Sequence, residues 1–177
     1  MNTNTKNIMV YVGTYAKYNE GNLQGEWIDL THLSYEDFCN KITNLHTDEE
    51  DPEFMFQDLD IEIDCLKNLV YESGIDEEFW ELKEQINNLS DSEIEAFDIF
   101  VNYGHPADIE KFRDAYRGFS DSFNIERDFG QEIAEEMGYI SEMPEAIRYY
   151  FDAEAFGRDL LANDFWEQDG HIFYNYY

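Results

Sequence analysis

Positive charge is scarce in this sequence. Its 177 residues carry eleven Lys plus Arg against 41 Asp plus Glu, a formal charge of -30. Such a surface repels nucleic acid and anionic membrane and draws in basic proteins, so a basic protein partner is expected, with no direct nucleic-acid or membrane binding. Long apolar runs are missing too. No stretch of 18 or more apolar residues occurs and the leading MNTNTKN has no signal-peptide core, which predicts a cytoplasmic chain with a frayed lead. Cysteine is scarce: Cys39 and Cys65 lack CxxC spacing and fall among apolar residues, as reduced core thiols do. His32, His46, His105 and His171 are scattered without HExxH or HxH, so each is expected at the surface or half-buried and no metal site is expected. Nothing pairs a nucleophile with a base, so neither catalysis nor a cofactor is expected.

Apolar residues, in contrast, are plentiful. They make up 43% of the chain, with thirteen Tyr and fourteen Phe, enough apolar surface to oppose the entropy lost on folding. A folded, very acidic protein is therefore expected rather than a disordered one.

The N-terminal third reads as a small α+β domain. IMVYVGTY (8–15) and GEWIDL (25–30) read as strands joined by the loop KYNEGNLQ, and FMFQDL (54–59) as a third. Between them SYEDFCNKITNL opens with a Ser34/Asp37 capping box and sets Tyr35, Phe38, Cys39, Ile42 and Leu45 on one helical face. The middle reads as short helices that must pack together: Asp76 caps EEFWELKEQI, and Ser90/Glu93 box a helix carrying Ile94, Phe97, Phe100 and Val101 that Gly104 ends. Further on, Phe129, Ile133 and Met137 share a helix that Gly138 terminates, and Pro144 suits the first turn of another. The chain closes on DFWEQDGHIFYNYY, where Asp169-Gly170 between aromatic runs signals a two-residue hairpin.

Charge is concentrated in the middle. Residues 48–98 hold 19 acids against Lys67 and Lys83, and FQDLDIEIDCL (56–66) puts Asp58, Asp60, Glu62 and Asp64 on one parity with Leu59, Ile61 and Ile63 on the other. Those acids do not make a calcium loop, because Ile63 stands where Gly is needed and Leu69 where Glu is needed. The same carboxylates could hold a magnesium ion in a hydrolase, yet no phosphate-cradling Gly loop accompanies them. Alternate strand residues lie ~6.7 Å apart and helical i, i+4 neighbours ~6 Å apart, so rows of carboxylates can resemble a line of phosphates. A strand-to-helix change inside the segment would scatter the four acids. Plain solubility or a salt-adapted surface is the alternative use of such charge.

Several stretches resemble the ArdA family of antirestriction proteins, which are carried by mobile genetic elements. VYVGTYAKYNEGNLQGEWIDL (10–30) is similar to the family's strand, Tyr-Asn-x-Gly loop and Gly-x-Trp strand, and FMFQDLDIEI follows where the family has its acidic strand. FGQEIAEEMGYISEMPEAIRYYFDAEAFGRDL (129–160) looks like the family's most recognisable block. The resemblance implies an elongated α+β protein in three small domains: an N-terminal antiparallel sheet with a helix (1–60), an acidic short-helix bundle (61–104) and a C-terminal α+β dimerisation domain (105–177). It implies a homodimeric mimic of bent duplex DNA that occupies the DNA groove of type I restriction-modification enzymes, on the methyltransferase core. Carried onto this chain, residues 139–155 lie at or near the dimer contact, with Tyr139, Met143, Ile147, Tyr150 and Phe151 as its candidates; intrachain core is the alternative for these aromatics. Asp58, Asp60, Glu62, Asp64, Glu72, Asp76, Glu77, Glu81 and Glu84 are assigned to the mimic surface by charge rather than by motif. The Asn/Thr-rich lead and Arg113, Arg117 and Arg127 depart from the family, and the arginines dilute the C-terminal charge. An acidic, halophilic-type binding domain and a metal-dependent carboxylate enzyme are the competing classes.

Overall fold

The computed structural model describes residues 6–175. The fold is α+β and divides into two compact units, Met1–Ile109 and Glu110–Tyr177. Most of the MNTNTKN lead, whose fraying is expected from sequence, lies outside the described residues.

The first unit begins with β1 (Ile8–Thr14), whose Ile8, Val10 and Val12 are fully buried while Met9 and Tyr11 on the other parity are half-exposed. Thr14 ends the strand and accepts the Lys17 N–H, starting α1 (Tyr15–Asn19) where the sequence reads as loop. An extended Thr supplies the N-cap that makes this short turn of helix possible. β2 (Glu26–Asp29) pairs antiparallel with β1. α2 (Tyr35–Leu45) has the expected Ser34/Asp37 capping box, but buries only Phe38 and Ile42; Tyr35 is exposed, and Leu45 and Cys39 are half-buried. β3 (Phe54–Ile61) completes an antiparallel sheet of order β2-β1-β3. A bulge at Gln57, between the Tyr11–Asp58 and Val12–Phe56 pairs, keeps Phe56 and Ile61 both on the core side.

The chain then turns through α3 (Asp64–Lys67) and a two-stranded ribbon, β4 (Val70–Tyr71) with β5 (Gly74–Ile75), of which apolar periodicity gives no sign. α4 (Glu77–Ile86) is capped by Asp76, and α5 (Asp91–Asn102) by the Ser90/Glu93 box. Gly104, at φ 107°, follows the C-cap of α5. α4 buries Phe79, Leu82, Lys83 and Ile86, and α5 buries Ile94, Ala96, Phe97 and Phe100. Phe38 of α2 meets Phe56 of β3 and Trp80 of α4, which ties the helices onto the sheet. Lys83 is the exception in this core: its Nζ donates to the carbonyls of Leu30 (3.0 Å) and Leu33 and lies 5.2 Å from the Trp80 ring centroid.

The second unit is built around a helix pair and a three-stranded sheet. It runs α6 (Ile109–Ala115), β6 (Tyr116–Phe119), α7 (Ile125–Glu136), α8 (Tyr139–Glu142), α9 (Glu145–Arg148), α10 (Ala153–Asn163), β7 (Phe165–Gln168) and β8 (His171–Tyr174), with sheet order β6-β8-β7. Asp169 (φ 53°) and Gly170 (φ 87°) form the two-residue turn between β7 and β8, both left-handed as a type I′ hairpin requires. α7 and α10 cross at Gly130 and Gly157, where their backbones touch. Phe129, Ile133, Phe165 and Ile172 form the core beneath, with Phe156, Leu160 and Leu161 packed against it. Met137 does not join them: α7 stops at Glu136, Gly138 turns at φ 77°, and Met137 is left 57% exposed. His46 and His171 also depart from expectation, since both are buried; each imidazole has a polar partner inside, Lys17 for His46 and the Tyr116 hydroxyl for His171.

Candidate partner-binding surface

The strand periodicity of FQDLDIEIDCL survives folding in burial but not in backbone. Asp58, Asp60, Glu62 and Asp64 are exposed while Ile61 and Ile63 are buried, yet β3 ends at Ile61 and Asp64 already begins α3. Only Asp58 and Asp60 are therefore strand residues on one sheet face, paired across to Tyr11 and Met9. Glu62 lies just beyond, where its carboxylate accepts the Asn7 N–H at 2.6 Å and Asn7 Nδ2 reaches Asp60 at 3.3 Å. Asp64 accepts a long bond (3.4 Å) from Asn102. The reason α3 can start here is Asp98 of α5: its carboxylate accepts the N–H groups of Asp64 (2.8 Å) and Cys65 (2.9 Å), a cap supplied across 34 residues where Ile63 has no side-chain oxygen. Burial, then the Asp98 charge, push the Cys65 thiol up, so it stays protonated and inert.

α4 carries a second array. With Phe79, Leu82, Lys83 and Ile86 turned inward, the 3.6-residue period places Glu77, Glu81 and Glu84 in one stripe on the opposite side, and all three are exposed. Asp76 is half-buried because it caps the helix by accepting the Glu78 N–H. Glu72 sits in the β4–β5 turn and accepts the Tyr15 hydroxyl at 3.0 Å, a bond that raises the phenol's pKa. The nine acids chosen by charge thus fall on β3, the link after it, α3, the β4–β5 turn and α4 with its cap, and Glu62, Asp64, Glu72 and Asp76 among them also bond within the fold.

Burial of cations sharpens the negative surface. The first unit has 25 acids against five Lys, and two of the five, Lys17 and Lys83, lie inside. Lys17 Nζ donates to Asp48 (2.8 Å) and to His46 Nδ1 (2.9 Å) and lies 3.5 Å from Glu49, which also accepts the Thr14 hydroxyl. His46, Asp48 and Glu49 hold one donor atom each within 4.8 Å of one another, the arrangement a metal ion would use. Here the Lys17 ammonium stands at their centre. Its hydrogen bond to Asp48 raises the lysine's pKa and lowers the carboxylate's. Sequence spacing hides this cluster, because Lys17 is 29 residues from His46.

In the second unit three arginines are matched locally. Arg117 reaches Glu132 (2.8 Å) and Glu136 (2.7 Å), Arg127 pairs with its neighbour Asp128, and Arg158 bonds Glu126 and Glu154. The candidate dimer residues are mostly uncovered: Tyr139 and Ile147 are exposed, Tyr150 is 79% exposed and its neighbour Tyr149 91%, while Met143 and Phe151 are half-buried. Phe151 and Tyr139 lean on Phe156 of α10. Arg148 fixes the segment from within by donating to the carbonyls of Ser141 and Met143. Intrachain core is thus not the role of Tyr149 or Tyr150.

The model of the family described as antirestriction protein (ArdA) matches residues 10–173. No curated protein matches the chain. With nearly its whole length matched, the chain belongs to the ArdA family, whose function is antirestriction.

Proposed function

We propose that this ArdA-family chain is a non-catalytic mimic of duplex DNA that occupies the DNA groove of a type I restriction-modification enzyme, on its methyltransferase core, and excludes DNA by competition. The observation that supports this reading is the segregation of charge in the first unit: rows of exposed carboxylates on β3 and on one stripe of α4, with two of its five lysines withdrawn into the interior. A rigid array of carboxylates meets the same Lys and Arg that neutralise phosphates and releases the same counterions. Two such carboxylates ~7 Å apart repel by only about 0.6 kcal/mol in water, a cost the fold tolerates. The protein acts in the cytoplasm as a two-fold homodimer joined through the exposed Tyr139–Ile147–Tyr150 segment, which doubles the carboxylate track without new sequence.

Competition titrations at two salt concentrations test it. The wild type should displace duplex DNA from the methyltransferase core, and its affinity should fall steeply as salt rises, as that of DNA does. Asp60→Asn or Glu81→Gln alone should change inhibition little, because a lone exposed pair is worth ~0–1 kcal/mol. Neutralising Asp58, Asp60, Glu62 and Asp64 together should weaken it severalfold with the fold intact by circular dichroism. A quadruple variant that matches wild type at both salts, or a ternary complex of enzyme, DNA and this protein in one groove, would overturn the proposal.

A further inference from the structure

The exposed face of the N-terminal sheet is not uniformly acidic. Cross-strand pairing sets its side chains in two rows: Trp27, Tyr11 and Asp58 in one, and Asp29, Met9 and Asp60 in the next. Directly paired residues of an antiparallel sheet share a face, and Val10, Ile28 and Val12 on the opposite face are fully buried. Trp27 is 38% exposed, a large apolar surface left open among carboxylates.

The aromatic pair is built rather than incidental. Tyr11 and Trp27 meet edge to face with centroids 5.5 Å apart, and the Tyr11 hydroxyl donates to the Leu23 carbonyl at 3.0 Å, holding its ring against the sheet. Gly25 makes that approach possible, since a Cβ there would come within 2.8 Å of the Tyr11 ring. Of the carboxylates beside it, Asp29 and Asp58 are held by backbone N–H groups. Asp29 accepts the Thr31 N–H at 2.9 Å; burial works against its charge, but the Thr31 hydrogen bonds win and hold its pKa below the usual carboxylate range. Asp58 accepts the N–H of Leu59, and Asp60 has only the long bond from Asn7, so neither sits in an ion pair among the described residues.

We propose that this face is a seat for an arginine side chain of the partner protein, with Trp27 and Tyr11 as its stacking platform and Asp58 and Asp60 as its acceptors. Strands lie ~4.8 Å apart, so a cation above Tyr11 has Trp27 of β2 on one side and Asp58 of β3 on the other, each within reach of a single side chain. A guanidinium can stack on an aromatic ring while its in-plane N–H groups donate to a carboxylate; an ammonium is a compact, strongly hydrated point charge that gains less from the ring. A polyanion is excluded by Asp29, Asp58, Asp60 and Glu62. The inference rests on the mimic reading for its partner, and adds a specific contact to a surface whose other carboxylates act diffusely and redundantly.

The test uses the full-length protein and two acetylated probes of equal charge, hexa-arginine and hexa-lysine, titrated at fixed salt. Wild type should bind hexa-arginine about two- to fivefold more tightly, the range a cation–π contact at an exposed site gives. Trp27→Ala should erase that preference while retaining hexa-lysine binding, and Trp27→Phe should retain part of it; thermal melting verifies that both variants fold. The indole N–H resonance of Trp27, assigned by its loss in the Phe variant, should move with hexa-arginine. Equal affinity for the two probes, a preference that survives Trp27→Ala, or an unmoved Trp27 resonance overturns the inference. A parallel DNA-displacement assay on the methyltransferase core separates the two readings. Displacement by wild type without an arginine preference refutes the seat alone, and an arginine preference without displacement refutes the mimic reading alone.

Discussion

Gly157→Ala places a methyl at the tightest point of the second unit. The added carbon would fall inside contact distance of the Glu126 carbonyl oxygen, 2.7 Å from the Glu126 carbonyl carbon and 2.9 Å from the Gly130 nitrogen, all backbone atoms. Backbone cannot rotate away, so α7 and α10 must separate over the Phe129–Ile133–Phe165–Ile172 core. Overpacking of this kind costs about 1–3 kcal/mol, and the opened helix pair adds lost packing around Phe156, Leu160 and Leu161. Against it stands the helix propensity of Ala over Gly, about 1 kcal/mol in favour of the variant. The clash wins because it involves two helices rather than one, and a net loss of about 2 kcal/mol is expected. For a unit of this size that lowers the melting temperature by roughly 10 °C, at ~4–8 °C per kcal/mol. Gly74→Ala is the control: a Cβ there meets nothing within 4 Å, and its backbone needs no left-handed conformation, so it should melt like wild type. Differential scanning calorimetry with near-UV circular dichroism reads both. A Gly157→Ala protein that melts at or above the wild-type temperature refutes the close-crossing argument.

Three further outcomes follow from the same structure. Asp98→Ala strips the α3 N-terminus of its cap, so urea unfolding of the first unit should show a loss of about 1 kcal/mol, within the ~0.5–2 range for N-caps, and a midpoint unchanged from wild type would refute Asp98 as a cap. Asp48 has a folded-state pKa held down by the Lys17 hydrogen bond, among His46 and Glu49. Its contribution is complete above the unfolded carboxylate range near about pH 4 and vanishes as pH falls through the lower folded value, so Asp48→Asn should flatten that part of the acid limb in a pH-melting series. Replacing Tyr149 and Tyr150 together by Ser should shift sedimentation at micromolar concentration toward monomer without changing far-UV circular dichroism; a wild type that sediments only as monomer refutes the dimer.

The sequence by itself determined the pieces whose physics is local. The Ser34/Asp37 and Ser90/Glu93 boxes, the Asp76 cap and the Asp169–Gly170 turn all formed as their residues predict, because each closes over no more than four residues and needs no distant partner. The apolar periods of α4 and α7 likewise put Phe79, Ile86, Phe129 and Ile133 inside. The acidic surface was legible for the same reason, since net charge is a sum that folding leaves unchanged. Met137 shows where local patterning stops, as one Gly at φ 77° sends the chain away before its side chain can be covered. What only the tertiary structure decided was pairing across distance. Lys83 is buried because carbonyls 50 and 53 residues earlier in the chain accept its protons, and Lys17 because His46 and Asp48 do. Asp98, outwardly one more acid in an acidic helix, caps α3 from 34 residues away. The alternation at 56–66 named four carboxylates, but strand register and the start of α3 chose Asp58 and Asp60 for the sheet face and set them beside Tyr11 and Trp27. A local period specifies which side of an element a residue takes; which residues of other elements share that side is fixed only when the backbones pair.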